Sequence, residues 1–313
     1  MNKLSFVIPC YNSSASIRQV VDSIRDICRE NTYPYQIILS NDGSKDNVWE
    51  VISSLCKEDK NITGVCLSRN FGQQSARMAA LPFVTGDYVV FMDDDGQHPA
   101  AGIPVLVTKL EEGYDIVYAY FRKKKESRFR MAGSNFNQWT MEWLMEKPKK
   151  VKMSSFFVAR RFVIDALREY SSPGPVLNGY FMQITKNIAN VELDHKERLA
   201  GKSGYNFKRL LHLWMDNATS FSVKPLRLAS SLGMILSVIG FIWALVLVIK
   251  KIIYPMVPIG YTSIVAAILV CSGLLMLLMG LIGEYIGRMF MTMNHIPQFV
   301  IREKLNVEDE QNV

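Results

Sequence analysis

Asp87-Tyr88-Val89-Val90-Phe91-Met92-Asp93-Asp94-Asp95-Gly96-Gln97-His98-Pro99 is the stretch around which the rest of the chain is organised. Tyr88 to Met92 is an apolar, β-rich run and reads as a buried strand. It ends abruptly in three carboxylates, a glycine and a proline. In open α/β sheets ligands bind just beyond the carboxyl ends of the strands. Three adjacent acids there repel one another unless a cation offsets them. Carboxylate oxygens suit hard Mg²⁺ or Mn²⁺, which bridges to substrate phosphates. The plainer alternative is a solvated acidic turn.

Outward from this stretch, strands alternate with helices. Leu4–Ile8 reads as a strand ending at Pro9-Cys10-Tyr11-Asn12. A helix with apolar positions Ile17, Val20, Val21, Ile24 and Ile27 follows. Tyr35–Ser40 is a second strand, stopped by Asn41-Asp42-Gly43-Ser44. Ile62–Leu67 is a third, stopped by Ser68-Arg69-Asn70-Phe71-Gly72. Such alternation implies right-handed crossovers and a Rossmann-like, mostly parallel sheet. The polar strand ends then line one edge, shaped for a nucleotide. Neither GxGxxG nor GxxxxGK[ST] occurs, so neither a dinucleotide fingerprint nor a P-loop is indicated.

The chain has 313 residues and a net charge of +7. No zinc-finger or RNA-binding signature accompanies that charge, so nucleic acid is not the expected partner. Two long uncharged runs, Leu228–Ile249 and Ile259–Gly283, are each long enough to cross a bilayer core of about 30 Å. The basic excess therefore reads as attraction to anionic headgroups and phosphate substrates. Lys208, Arg209, Lys224 and Arg227 precede the first run, and Arg288, Arg302 and Lys304 follow the second. Only Lys250 and Lys251 lie between them, which places both termini in the cytoplasm. Cys10, Cys28, Cys56, Cys66 and Cys271 are widely spaced with no CxxC, as expected of reduced thiols. Tyr205–Phe221 is amphipathic, with Trp214 on its apolar side and Lys208 and Arg209 elsewhere. It reads as an interfacial helix.

Four motifs occur in order: Pro9-Cys-Tyr11-Asn12, Asn41-Asp42-Gly43-Ser44, Ser68-Arg69-Asn70-Phe71-Gly72 and Asp93-x-Asp95-Gly-Gln97-His-Pro99. Together they resemble the GT-A fold of family-2 inverting glycosyltransferases, and more narrowly the polyisoprenyl-phosphate glycosyltransferases. The likeness extends through Leu193-Asp-His195-x-x-Arg198-x-x-Gly201-x-Ser203-x-Tyr205 and covers residues 4–290. It implies an α/β GT-A domain over 1–204, an interfacial helix over 205–227, a two-helix anchor over 228–290 and a cytoplasmic tail over 291–313. It further implies a nucleotide-diphosphate sugar, with UDP the expected nucleotide, held by Pro9, Tyr11, Asn12, Asp42 and Asn70. Asp93, Asp95 and Gln97 would hold Mg²⁺ or Mn²⁺, Asp93 reaching either the ion or sugar hydroxyls. Asp94, offset by one residue, is expected to serve as a solvated or turn-capping acid rather than a ligand.

Arg198 suits a two-pronged grip on the leaving diphosphate. With Asp93 and Asp95 it completes the expected catalytic set. Arg122 and Arg128 in a basic loop, with Lys202 and Ser203, are expected to meet the acceptor phosphate of a polyprenyl (undecaprenyl) chain at the bilayer. Relatives suggest a homotetramer in the plasma membrane. Two departures from the family pattern stand out: Asn41 replaces a second acid, and Ser154-Ser155 stand where relatives often carry an acid. A lipid phosphate is already largely dianionic at neutral pH, so it needs positioning more than a protein base. Two rival readings are a degenerate, sugar-nucleotide-binding scaffold and a processive polysaccharide synthase. The latter is expected to carry Gln-x-x-Arg-Trp and further spans, which this sequence does not contain.

Overall fold

A computed structural model describes residues 2–121, 140, 142, 144, 148, 151–171, 174–193, 224–253 and 260–307. The described residues form two units. One draws on Met1–Leu210 and His295–Val313, the other on Leu211–Asn294.

The first unit is built on a mixed eight-stranded sheet. Its strands are β1 (Leu4–Cys10), β2 (Tyr35–Asn41), β3 (Ile62–Leu67), β4 (Tyr88–Phe91), β5 (Ile116–Phe121), β6 (Phe157–Arg160), β7 (Ile188–Leu193) and β8 (Ile301–Leu305). They lie in the order β7-β5-β6-β4-β1-β2-β3-β8. β1 pairs in parallel with β2 and β4, β2 with β3, and β5 with β7. β6 is antiparallel to both β4 and β5, and β8 is antiparallel to β3. All strands except β6 and β8 therefore point the same way.

Every residue of β1 and β3 is buried, as expected of strands covered by helices on both faces. The first unit's helices are α1 (Ile17–Glu30), α2 (Val48–Glu58), α3 (Gln73–Ala80), α4 (Ile103–Glu111), α5 (Arg161–Arg168) and α6 (Leu177–Ile184). Helix α1 buries Ile17, Val20, Val21 and Ile24 as its spacing predicts. Its last turn buries Cys28, while Ile27 packs only partly against the core. Asp59, just past α2, ties three elements together. It accepts from Tyr35 Oη at 2.7 Å and from Arg25 Nε at 3.2 Å. No cysteine is bridged.

Residues 295–307, read from sequence as part of a tail, add β8 to the sheet. Its charged Arg302, Glu303 and Lys304 are exposed while Ile301 and Leu305 are half-buried. Charged side chains on an outer strand discourage pairing with other chains.

The second unit holds helices α7 (Lys224–Ile253) and α8 (Tyr261–Met293). Each is long and apolar enough to cross a membrane. Their large side chains, such as Met234, Phe241, Trp243, Met276 and Met279, stand exposed. A surface that apolar suits lipid rather than water. The expected interfacial helix over 205–227 falls, before Lys224, outside the described residues.

Candidate active site

Backbone register brings the motifs together. Cys10 pairs with Asn41, so β1 and β2 end level, while the last pair of β4, Phe91 with Val7, lies further back along β1 and the chain turns out into Asp93–Asp95 beside the ends of both. Antiparallel β6 begins where β4 ends. With Phe91 opposite Phe157, Ser155 falls opposite Asp93.

Asp93 is the centre of a polar cluster. Its Oδ1 accepts from Gln73 Nε2 at 2.7 Å and from Arg77 at 2.9 Å, and its Oδ2 accepts from Ser155 Oγ at 2.6 Å. The Arg77 side chain is only 4% exposed, and burial holds its pKa below the ordinary guanidinium value despite Asp93. Arg77 also reaches the Ser155 carbonyl at 3.4 Å. His98 stacks on Phe156 and receives the Asp93 N–H on Nδ1 at 3.0 Å. An accepting Nδ1 carries no proton, so Nε2 is the protonated nitrogen. It lies 3.3 Å from Ser155 Oγ. Ser155 thus faces Asp93 with a hydroxyl.

Asp95 is more open. Its Oδ1 accepts the Gln97 N–H at 3.0 Å across a turn in which Gly96 has φ 74°. Its other oxygen has no hydrogen bond among the described residues. The buried Nε2 of Gln97 likewise has no partner. Turned over, that amide presents an oxygen instead. Among the described residues no group of three or more His, Cys, Asp or Glu could by itself hold a metal. A free carboxylate oxygen and an orphaned amide in one turn nevertheless fit a hard divalent ion. Such an ion takes its remaining ligands from a diphosphate and water.

Asp94 turns away from both. Its Oδ2 accepts the Tyr11 N–H at 2.9 Å, and its carbonyl accepts from Ser16 Oγ at 2.6 Å. It is a turn-tying acid, and burial raises its pKa.

The expected nucleotide residues surround this turn. Pro9 is buried in β1, whereas Tyr11 and Asn70 are exposed. Asn12, at φ 52°, accepts the Lys45 N–H at 2.9 Å and donates its own N–H to Ser44 Oγ at 3.1 Å. Asn41 accepts the Ser44 N–H at 3.1 Å, so the departure from a second acid supports a turn instead. Buried Asp42 accepts the Phe71 and Gly72 N–H groups at 2.7 and 2.9 Å. Burial raises its pKa, and those two bonds oppose the rise. Its carboxylate therefore shapes the Ser68–Gly72 loop. Gly43, at φ 61°, packs so closely that a Cβ would lie 2.4 Å from the Arg69 carbonyl carbon. Arg69 in turn covers the Phe71 ring.

Arg122, Arg128, Arg198, Lys202 and Ser203 lie outside the described residues. Sequence reading missed Arg77, Gln73 and the bond between Ser155 and Asp93. One signal was available: Arg77 is the single charge in the run Ser75-Ala76-Arg77-Met78-Ala79-Ala80, all of which is buried in α3. A cation in such a run of small side chains must have a partner.

A parallel-dominated sheet, a carboxylate turn at its central strand end and polar turns beside it define a glycosyltransferase of GT-A type. The chain belongs to the family described as Glycosyl transferase family 2, which matches residues 5–168, and the GtrB C-terminal hairpin matches residues 224–289. It is 33% identical to the undecaprenyl-phosphate 4-deoxy-4-formamido-L-arabinose transferase of Proteus mirabilis, over 98% of this chain and 95% of that one. It is 29% identical to the uncharacterized glycosyltransferase YkcC of Bacillus subtilis, over 98% and 95%. Among solved structures, glucosyl-3-phosphoglycerate synthase from Mycobacterium tuberculosis in complex with Mn²⁺ and UDP-glucose superposes with a TM-score of 0.51. That match covers 70% of this chain and 77% of that one at 22% identity, and speaks for the fold.

Proposed function

We propose that the protein transfers a sugar from a nucleotide-diphosphate sugar, UDP-linked, to undecaprenyl phosphate with inversion, making a lipid-linked monosaccharide for cell-envelope glycan modification. The observation that carries this reading is the turn after β4. Both Asp93 oxygens accept hydrogen bonds there, with Oδ2 accepting only from Ser155, while Asp95 keeps one oxygen and Gln97 its Nε2 without a partner among the described residues. Support comes also from relatives matched along nearly their whole length, named for transfer to undecaprenyl phosphate.

The lipid phosphate oxygen attacks the anomeric carbon opposite the departing nucleoside diphosphate. The new C–O bond forms as the bond to the diphosphate breaks, and the leaving group takes the electron pair. Attack in line inverts the anomeric centre. Bound Mg²⁺ or Mn²⁺ supplies positive charge for the leaving diphosphate. Asp95 and Gln97 would hold that ion. Asp93, held by Arg77, Gln73 and Ser155, presents a rigid wall beside them. Tyr11, Asn12 and Asn70, with the loop shaped by Asp42, flank the nucleotide. Arg198 stabilises the diphosphate, and Arg122, Arg128, Lys202 and Ser203 gather the acceptor phosphate. Helices α7 and α8 keep the enzyme at the plasma membrane, where that phosphate lies, with the catalytic unit and both termini cytoplasmic. The working assembly is a homotetramer.

The test is turnover of labelled UDP-sugars with Mg²⁺ or Mn²⁺ and undecaprenyl phosphate in nanodiscs. Wild type yields a lipid-linked sugar, and Asp95→Ala yields none while still inserting into membrane. Turnover retained in Asp95→Ala removes that residue from the metal site. Nucleotide binding without product from any donor favours a scaffold.

A further inference from the structure

We infer that the segment following the second long helix is a positioning element for the donor loop: residues 298–306 clasp β3 and fix the start of Ser68–Gly72. Calling this loop the donor's rests on the function proposed above.

The clasp is a strand with anchors of its own. Gly64, Val65, Cys66 and Leu67 pair with Leu305, Lys304, Glu303 and Ile301, with a register shift between Cys66 and Leu67. Pairing then runs past the strand, because Ser68 N donates to the Val300 carbonyl at 2.9 Å. Asn306, in the left-handed region at φ 53°, closes the clasp. Its Nδ2 donates to the Cys56 carbonyl at 2.6 Å and the Ile62 carbonyl at 2.9 Å. Trp49 Nε1 reaches Glu303 Oε2 at 3.1 Å, and Gln298 Nε2 reaches the Tyr170 carbonyl at 2.8 Å.

The loop is held at both ends by different parts of the chain. The clasp holds Ser68, and the Asp42 carboxylate holds Phe71 and Gly72. Between them Gly43 abuts the Arg69–Asn70 backbone, so the loop has little room to settle elsewhere. Exposed Asn70 is thereby presented beside the β1 and β2 turns. Without β8, the β3 backbone would be an unpaired edge and Ser68 would lose its acceptor. Residues that follow the membrane hairpin in sequence thus set the geometry of a loop made far earlier. The acceptor site draws on none of these residues.

Two changes test this in nanodiscs: Asn306→Asp in the full-length chain, which keeps the size and removes the amide donors, and deletion of 298–313. Neither touches the rim residues. Hydrogen exchange is read at Val65–Ser68, at Phe71 and Gly72, and at β1 and β4 as a folding control. UDP affinity is read by calorimetry. Exchange at Phe71 and Gly72 is expected to quicken about 10-fold or more, with β1 and β4 still protected. UDP affinity, and the donor KM, are expected to worsen about 3–10-fold, with the undecaprenyl phosphate KM unchanged. If the deletion unfolds β1 and β4, Asn306→Asp decides. Unaltered exchange at Phe71 and Gly72 in that variant overturns the inference and leaves β8 as an edge cover. A wild type that binds no nucleoside diphosphate defeats the donor reading instead, and the exchange data still judge the clasp.

Discussion

Arg77→Met is the change that most directly tests how the site is held. At an effective dielectric of about 20, a pair of charges at the 2.9 Å seen between Arg77 and Asp93 attracts by about 6 kcal/mol. Removing a guanidinium from water offsets most of that, and the lowered Arg77 pKa has that desolvation as its largest cause. The pair is therefore worth little net but is expensive to break from one side. Methionine fills similar volume and leaves Asp93 charged, with Gln73 and Ser155 as its remaining donors among the described residues. The expected loss is about 3–5 kcal/mol. Asp93→Asn on the Arg77→Met background removes the stranded charge and recovers a large part of it. Pulse proteolysis in urea gives the unfolding free energy of the catalytic unit for both single variants and the double. A cost under about 1 kcal/mol for Arg77→Met, or simple additivity in the double, would refute the view that this pair organises the rim.

Gly43→Ala places a Cβ against the Arg69 and Asn70 backbone at a positive φ. It is expected to cost about 1–3 kcal/mol and to weaken UDP binding, read by denaturation and calorimetry. Asp59→Asn probes pH. Burial raises the Asp59 pKa, but bonds from Tyr35, Asn61 and Arg25 outweigh it and leave the folded value lowered. Such a carboxylate contributes stability above its unfolded pKa, and that contribution is lost as pH falls through the folded one. The variant should therefore be about 1–3 kcal/mol less stable at neutral pH, and the deficit should close in acid. A deficit constant with pH would mean that the Asp59 charge is not what stabilises the fold.

Much of this protein follows from short-range pattern. Runs such as Leu4–Cys10 and Tyr88–Phe91 are apolar because both faces are covered, and the turns that end them are polar because they meet solvent and substrate. Period and punctuation therefore reveal the alternating strands, the rim on which Asp93 and Asp95 sit, and the two apolar helices. Asp94 was legible too, since one step along the turn faces the other way. What stayed hidden depends on partners far apart in sequence. Nothing near Asp93 announces that Arg77 and Ser155 hold it, because antiparallel β6 alone brings Ser155 opposite. Asp42, expected at the nucleotide, gives no sign in sequence that the Ser68–Gly72 loop folds onto its carboxylate. Ile301–Leu305 is a charged pentapeptide with no helical or core signature, and only an open edge on β3 makes it a strand. Local chemistry thus determined which residues could act. Long-range packing decided how many acceptor sites each carboxylate keeps for a ligand, because every hydrogen bond made within the protein occupies one of its roughly four lone-pair sites.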